Sequence, residues 1–139
     1  MKEMVYKEDW QAEVLEYNSY KGYNYAVISQ GVFPCGYVEI PQKHPYYNID
    51  YDRLPYIECH GGLTFSGKLS PLLNLPTNTF WIGWDYGHWL DLCGYDLKYG
   101  NGRAFGIAYK TEDVVRECIN VINQLIAKME EKKIAFKNH

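Results

Sequence analysis

The sequence predicts an α+β fold, in which an antiparallel or mixed sheet of about four to six strands packs against a long C-terminal amphipathic helix. A chain of 139 residues is the length of one domain, which we assign to residues 1–139. Short segments rich in Val, Ile, Tyr and Trp, separated by Gly and Pro, are typical of strands. Apolar residues at three- and four-residue spacing near the C-terminus predict the helix.

The predicted strands all come before the helix. The first twenty residues are amphipathic and predict an opening strand or a short helix. Residues 24–29 and 36–40 predict a hairpin, because Gly31 and Pro34 between them are turn formers. The run FWIGWD at 80–85 is short and apolar, which predicts a buried central strand.

A further strand is predicted at residues 56–60, YIECH, ending at the paired glycines 61 and 62. Residues 63–65 are expected to continue as a strand or a turn. The segment before it is rich in Tyr and bounded by prolines, which predicts an ordered loop rather than a helix. The five glycines between 86 and 106 also predict loop, with at most one short strand.

The helix is predicted over residues 112–131. Thr111 is the expected cap, and Glu112 and Asp113 fall in the first turn, where the helix dipole favours negative charge. The apolar stripe predicts packing against the sheet rather than a partner-binding face. The tail at 132–139 is expected to fray.

Composition excludes several classes of function. Fourteen Lys and Arg against seventeen Asp and Glu give a net charge of −3, so nothing favours binding to duplex nucleic acid or an anionic membrane. No apolar run approaches the ~18 residues of a membrane span, and the charged start is unlike a signal peptide, so a cytoplasmic location is expected. Four cysteines without a CxxC pair predict thiols rather than disulfides or a zinc site, and no cofactor is implied.

The aromatic content leaves two interpretations open. Fourteen Tyr, four Trp and five Phe make 17% of the chain. A phenol has an apolar ring and a polar tip, which suits a ligand-binding surface or the contacts of a homo-oligomer. Aromatic residues also fit the pleated surface of a small sheet, so the excess is equally typical of strand packing.

Candidate binding residues fall in three groups. The segment CHGGLTFSG at 59–67 combines an imidazole, two glycines and hydroxyls, and exposed backbone amides at such a turn can bind an anion. The segment GWDYGHWLDL places carboxylates and an imidazole directly after the central strand. The Tyr-rich loop could stack on a planar ligand. The predicted ligand-binding residues are His44, Tyr47, Tyr51, His60, Gly61, Gly62, Thr64, Asp85, His88 and Asp91.

The sequence allows more than one chemistry for these predicted binding residues, and it assigns no catalytic residue. His60, Asp85, His88 and Asp91 together are a donor set that suits a divalent transition metal, or an acid and base pair. Alternatively, Asp85 caps a turn, His88 is a buried core residue, and the Tyr-rich loop packs on the sheet or contacts another protein. A binding site requires that the stretches near residues 60 and 88 meet at one rim.

Four segments together resemble a family of small proteins of bacteriophages, prophages and other mobile elements. They are HPYYNIDYDRL, ECHGGLTFSG, FWIGWDYGHWLD and YKTEDVVRECINVINQL, within residues 36–126. HGGLT and WIGWDxxH are the specific elements, and family members often have Cys where this chain has Tyr86. The resemblance implies a phage context and a compact α+β fold, without supplying an activity.

The sequence is compatible with three functions. The first is an anti-defence protein that sequesters a small polar ligand, with a nucleotide-derived immune signal such as a cyclic nucleotide as the main candidate. The second is a small hydrolase of nucleotides that uses a metal or the His and Asp residues. The third is an inhibitor that binds a host defence protein through exposed Tyr and Trp. Whether the protein is an enzyme therefore stays undecided from the sequence.

Overall fold

Five strands form an antiparallel sheet in the order β1-β2-β3-β5-β4. The computed structural model describes residues 12–29, 31, 33–87, 91–92 and 107–137. The strands of the sheet are β1 Glu13–Tyr20, β2 Tyr23–Ser29, β3 Pro34–Ile40, β4 Phe65–Gly67 and β5 Phe80–Asp85. Two short strands, β6 Asp91–Leu92 and β7 Ile107–Ala108, pair in parallel, and helix α1 covers Thr111–Lys137. The predicted α+β fold is confirmed.

The sheet has an apolar core on each face, because side chains alternate along each strand. On one face, Ile82 and Trp84 of β5 pack with Val114, Cys118 and other apolar residues of α1. On the opposite face, Trp81 of β5 packs with residues of β2 and β3 and with Leu69 and Leu75 from the loop that precedes β5. The run FWIGWD is therefore the buried strand that the sequence predicts, between β3 and β4.

Strands β3 and β5 meet through two pairs of an aromatic ring and a glycine. Trp84 lies across from Gly36 on the α1 face, and Tyr37 lies across from Gly83 on the other face. A Cβ on Gly36 would come within 2.5 Å of the Trp84 ring, and a Cβ on Gly83 within 2.5 Å of the Tyr37 ring. Both glycines are thus required by the close approach of a ring to the neighbouring backbone.

The predicted hairpin is present, and a third strand, β1, pairs with its first strand. β2 and β3 pair antiparallel, and β1 pairs with β2 through a two-residue turn at Lys21 and Gly22. Both turn residues have positive φ, at 49° and 85°, which matches the twist of the flanking strands. The opening segment is therefore a strand over 13–20, one of the two alternatives that its sequence allowed.

The strand predicted at 56–60 is wrong, because residues 55–59 have no strand pairing. The next strand, β4, begins only at Phe65. The backbone of Glu58, in the middle of this segment, instead hydrogen-bonds to side chains of α1.

Helix α1 is longer than predicted at both ends. Its first residue is Thr111, and the Lys110 carbonyl accepts the N–H of Val114, so Lys110 rather than Thr111 is the cap. The Asp113 carboxylate accepts the Lys110 N–H at 2.9 Å, which is the reaching-back half of a capping box. At the other end the helix continues to Lys137, into the tail expected to fray, and residues 131–135 are exposed. No helix in the described ranges is both long and apolar enough to cross a bilayer.

We predict that Gly36→Ala lowers the free energy of unfolding by about 1–3 kcal/mol, because the new methyl group would overlap the Trp84 ring. In a Trp84→Leu background the same change should cost much less, since the ring is gone. Urea unfolding of the wild type, both single variants and the double variant measures this coupling. An equal cost of Gly36→Ala in both backgrounds would show that the ring contact is not the cause.

Candidate functional site

An aromatic cluster lies at the end of β5 on the face of α1. The ring of His60 stacks on that of Tyr86, with centroids 4.3 Å apart and planes inclined by 13°. The Tyr109 ring lies 4.8 Å from His60 and 4.7 Å from Tyr86. Tyr86 is buried, whereas His60 and Tyr109 are half-buried. The cluster therefore presents part of two rings to solvent on top of a buried third ring.

These three rings form one wall of a cleft of about 410 Å³, which we name the His60 cleft. The first turns of α1 form the other wall, through Asp113, Arg116 and Glu117. The volume is in the range of small-molecule sites, and flat rings facing charged groups suit a planar, polar ligand.

The charged wall is held by contacts within the helix. The Asp113 carboxylate accepts the Lys110 N–H and forms an ion pair with the guanidinium of Arg116, which is largely exposed. Glu117 accepts a hydrogen bond of 2.9 Å from the side-chain amide of Asn120. Because an exposed ion pair contributes little to stability, the Arg116 guanidinium can turn to a ligand at small cost.

The turn that carries His60 depends on its glycines. Gly61 and Gly62 have φ of 70° and 84°, a region that residues with a Cβ rarely adopt. The Gly62 N–H donates to the Cys59 carbonyl at 3.0 Å and closes the turn. With this turn closed, the His60 ring packs on the Tyr86 ring.

A side-chain clamp fixes the segment that leads into this turn. The Gln124 amide accepts the N–H of Glu58 at 2.8 Å and donates to the carbonyl of the same residue at 2.7 Å. Asn120 donates to that carbonyl as well, at 3.2 Å. Gln124 thus replaces the neighbouring strand that the sequence led us to expect, and Asn120 connects the clamp to Glu117 of the His60 cleft.

Burial keeps the side chains of Cys59, Tyr86 and Cys118 uncharged near neutral pH. Burial, with a smaller effect of the Glu117 charge, raises the pKa of Cys59 to about 12. Burial also raises the pKa of Tyr86 and of Cys118 well above their ordinary values. A thiolate beside His60 is therefore not populated at neutral pH, which argues against Cys59 as a nucleophile.

Thr64 and Asp85 belong to a second cleft, on the opposite face of the sheet. The Thr64 hydroxyl donates to the Asp85 carboxylate at 3.3 Å, and the Gly87 N–H donates to its other oxygen at 3.0 Å. The cleft has a volume of about 330 Å³, and we name it the Asp85 cleft. It is lined by Phe33, Cys35, Tyr37, Thr64, Phe65, Trp84 and Asp85. The sheet thus separates Asp85 from His60, although both lie near the end of β5.

His44, predicted to bind a ligand, lies in the core and is 3% exposed. Its Nε2 contacts the Leu125 carbonyl at 2.8 Å, and its Nδ1 accepts the N–H of Tyr46 at 3.0 Å. These two partners require the neutral ring with a proton on Nε2. Burial lowers the pKa of His44, the Leu125 carbonyl opposes that shift, and the charge of Lys132 adds to it. The geometry assigns His44 to anchoring the Tyr-rich loop on α1.

The two tyrosines of the predicted loop site are also apart from the His60 cleft. Tyr47 packs edge-on against Phe80, with ring centroids 5.8 Å apart. Tyr51 is exposed, and its backbone N–H donates to the Ser66 hydroxyl at 3.0 Å. Neither residue is among those that line the two clefts.

The remaining predicted site residues cannot be placed against His60. His88 lies outside the described residues, and Asp91 is described only as part of β6, without its side chain. Within the described residues, no three His, Cys, Asp or Glu side chains are grouped so that they could hold a metal ion. The meeting of the stretches near 60 and 88 therefore stays a prediction.

Sequence reasoning missed the partners of His60. In the sequence, Tyr86 stands out only as a departure from the family pattern, and Tyr109, Arg116 and Glu117 are not among the predicted ligand-binding residues. One signal was available for Glu117, which borders the apolar stripe of the helix beside Val121, whereas Arg116 lies on the exposed side of the helix and gave no such signal. Tyr109 carried none, since its role depends on the pairing of distant segments.

No family model matches the chain, and neither a curated protein nor a solved structure is significantly similar to it.

We predict that His44 makes the fold less stable in mild acid. Burial lowers the pKa of His44 in the folded protein. Below about pH 6.5 the unfolded chain therefore takes up a proton that the folded chain does not. The stability present above that pH is lost as the pH falls towards the lowered pKa of the folded state. Urea unfolding at about pH 7.5 and about pH 5.5 should show a smaller loss for His44→Gln than for the wild type. Equal losses would contradict the assignment.

We also predict that Gln124→Ala loosens the His60 turn. Loss of two backbone hydrogen bonds should lower the free energy of unfolding by about 1–3 kcal/mol. The His60 ring protons, shifted by the Tyr86 ring current, should move towards positions typical of an unstacked histidine in NMR spectra. Asn123→Ala, at an exposed neighbouring position, is the control and should leave both unchanged. Unaltered His60 shifts in Gln124→Ala would show that the clamp does not position the ring.

Proposed function

We propose that the protein captures a small, planar, polar ligand in the His60 cleft and holds it without chemical change. The observation that carries this proposal is the cluster of His60, Tyr86 and Tyr109 rings facing Asp113, Arg116 and Glu117 across a cleft of about 410 Å³. Rings supply a stacking surface, and charges of both signs supply directional contacts.

The ligand class that best fits this cleft is a nucleotide-derived signal. The flat base stacks on the half-buried rings of His60 and Tyr109. Amino groups of the base are donors for the carboxylate of Glu117, and a phosphate pairs with the exposed guanidinium of Arg116. The resemblance to proteins of phages and mobile elements supports an immune signal of the host as the source, and hence an anti-defence role.

The protonation of two buried groups near His60 disfavours a covalent route to hydrolysis. Burial keeps the Cys59 thiol and the Tyr86 phenol neutral, so neither is an activated nucleophile at physiological pH. The imidazole, guanidinium and carboxylate groups that line the cleft can all make hydrogen bonds to a bound ligand.

A panel of linear and cyclic nucleotides tests the proposal by calorimetry, followed by denaturation and mass spectrometry of the released ligand. At least one member should bind and be recovered intact. Tyr109→Ala should weaken its binding by about 5- to 150-fold, the loss of ~1–3 kcal/mol of stacking on one base. Tyr56→Ala is the matched control, because Tyr56 is 82% exposed and lines neither cleft, and it should bind as the wild type does.

Three outcomes would overturn the proposal. Recovery of nucleotide fragments would establish hydrolysis instead. Equal affinity of Tyr109→Ala and the wild type would place the ligand elsewhere. Binding to no nucleotide, with a host polypeptide copurifying from infected cells, would indicate an inhibitor of a defence protein.

A further inference from the structure

Glu117 differs from the other charged residues that line the His60 cleft, because its carboxylate is only partly engaged. Asp113 uses both of its oxygens, one for a backbone N–H and the other for the guanidinium of Arg116. Glu117 accepts one hydrogen bond, from the side-chain amide of Asn120 to its Oε2 at 2.9 Å, and it has no other hydrogen bond or ion pair within the part of the chain that the structure describes. Its Oε1 is thus available to a ligand.

Asn120 fixes the position of this carboxylate. Its amide group donates both to Oε2 of Glu117 and to the Glu58 carbonyl, the latter at 3.2 Å. Glu117 is half-buried, and its charge acts on the groups around it. Burial is the main cause of the raised pKa of Cys59 and of Tyr86, and the charge of Glu117 acts in the same direction on both. The carboxylate therefore lies near the aromatic wall of the cleft.

A carboxylate selects among nucleotide bases by the donors on their pairing edge. When ionised it only accepts hydrogen bonds, and its two oxygens can take a pair of parallel donors. Guanine presents two adjacent donors on that edge, the ring N1–H and the 2-amino group, and no other common base does so. Adenine and cytosine present one donor beside a ring-nitrogen acceptor, and uracil presents one donor between two carbonyl oxygens. An acceptor held against a carboxylate stays unpaired, which disfavours these three bases.

We propose that Glu117 makes the His60 cleft selective for guanine nucleotides, by accepting the N1–H and the 2-amino group of the base on its carboxylate. This role rests on the proposed function and narrows its ligand from nucleotides in general to those of guanine. Oε1 accepts one of the two donors and the second lone pair of Oε2 accepts the other, so the contact with Asn120 is kept. Glu117 thus determines specificity, and Asn120 is its positioning residue.

Calorimetry of the wild type with the 3′,5′-cyclic monophosphates of guanosine, inosine and adenosine tests this role without any change in the chain. The three ligands share the same sugar and phosphate and differ only in the edge of the purine. The inosine nucleotide lacks the 2-amino group and should bind about tenfold more weakly than the guanosine nucleotide. The adenosine nucleotide should bind more weakly still. Equal affinity for the guanosine and adenosine nucleotides would overturn the proposal.

Glu117→Gln keeps the shape of the side chain and replaces one acceptor oxygen by a donor, which suits the paired donor and acceptor of adenine. The guanosine nucleotide should lose most of its advantage over the adenosine nucleotide, a change of preference that a loss of stability would not produce. Glu112→Gln removes the same charge from an exposed position of α1 outside the His60 cleft, and it should bind like the wild type. An unchanged preference for guanosine in Glu117→Gln would contradict the assignment.

Two further results separate the role of Glu117 from the proposed function. Nucleotide binding that Tyr109→Ala weakens but that shows no preference for guanine would leave the proposed function in place and overturn the role of Glu117. If none of the three cyclic nucleotides binds, the role of Glu117 is also overturned, and the wider panel of nucleotides then decides the proposed function.

Discussion

The contacts of aromatic rings with glycines between β3 and β5 determine which face of the sheet each residue of β5 occupies. Trp84 covers Gly36 on one face of the sheet, and Tyr37 covers Gly83 on the other, so each strand provides a ring for one face and the space for a ring on the opposite face. A one-residue slip in pairing would place a ring on a side chain and transfer every residue of β5 to the wrong face. The register of the central strands is therefore determined by packing on both faces at once.

That register divides the end of β5 into two chemically different environments. Asp85 faces the side with Trp81, and Tyr86 faces α1. The α1 side combines neutral buried groups with charges of both signs on the helix, whereas the other side combines aromatic rings with one carboxylate. Asp85, the last residue of β5, and Tyr86, which follows it, thus line two different clefts on opposite faces of the sheet.

The sequence alone predicts an element when the burial of that element sets a regular spacing of its apolar residues. The stripe of α1, the hairpin at Gly31 and Pro34, and the apolar run of β5 could all be predicted, since burial follows directly from periodicity. Residues 56–60 have strand-like composition but pair with Gln124, and no local pattern reveals a side-chain partner 66 residues away. His44 illustrates the same limit, because its two hydrogen bonds make it part of the core. His60, Thr64 and Asp85 could be selected by residue type, but their division between two faces and the aromatic partners of His60 depend on how distant segments pack.

The length of α1 has a practical consequence for work on the protein in assemblies or on surfaces. Residues 130–135 are exposed and continue the helix well past Leu125, the last helix residue described as fully buried. At a rise of about 1.5 Å per residue, a tether attached near Lys133 lies roughly 24 Å along the axis from Glu117. The molecule can therefore be immobilised or fused through its final helical turns while the mouth of the His60 cleft remains accessible.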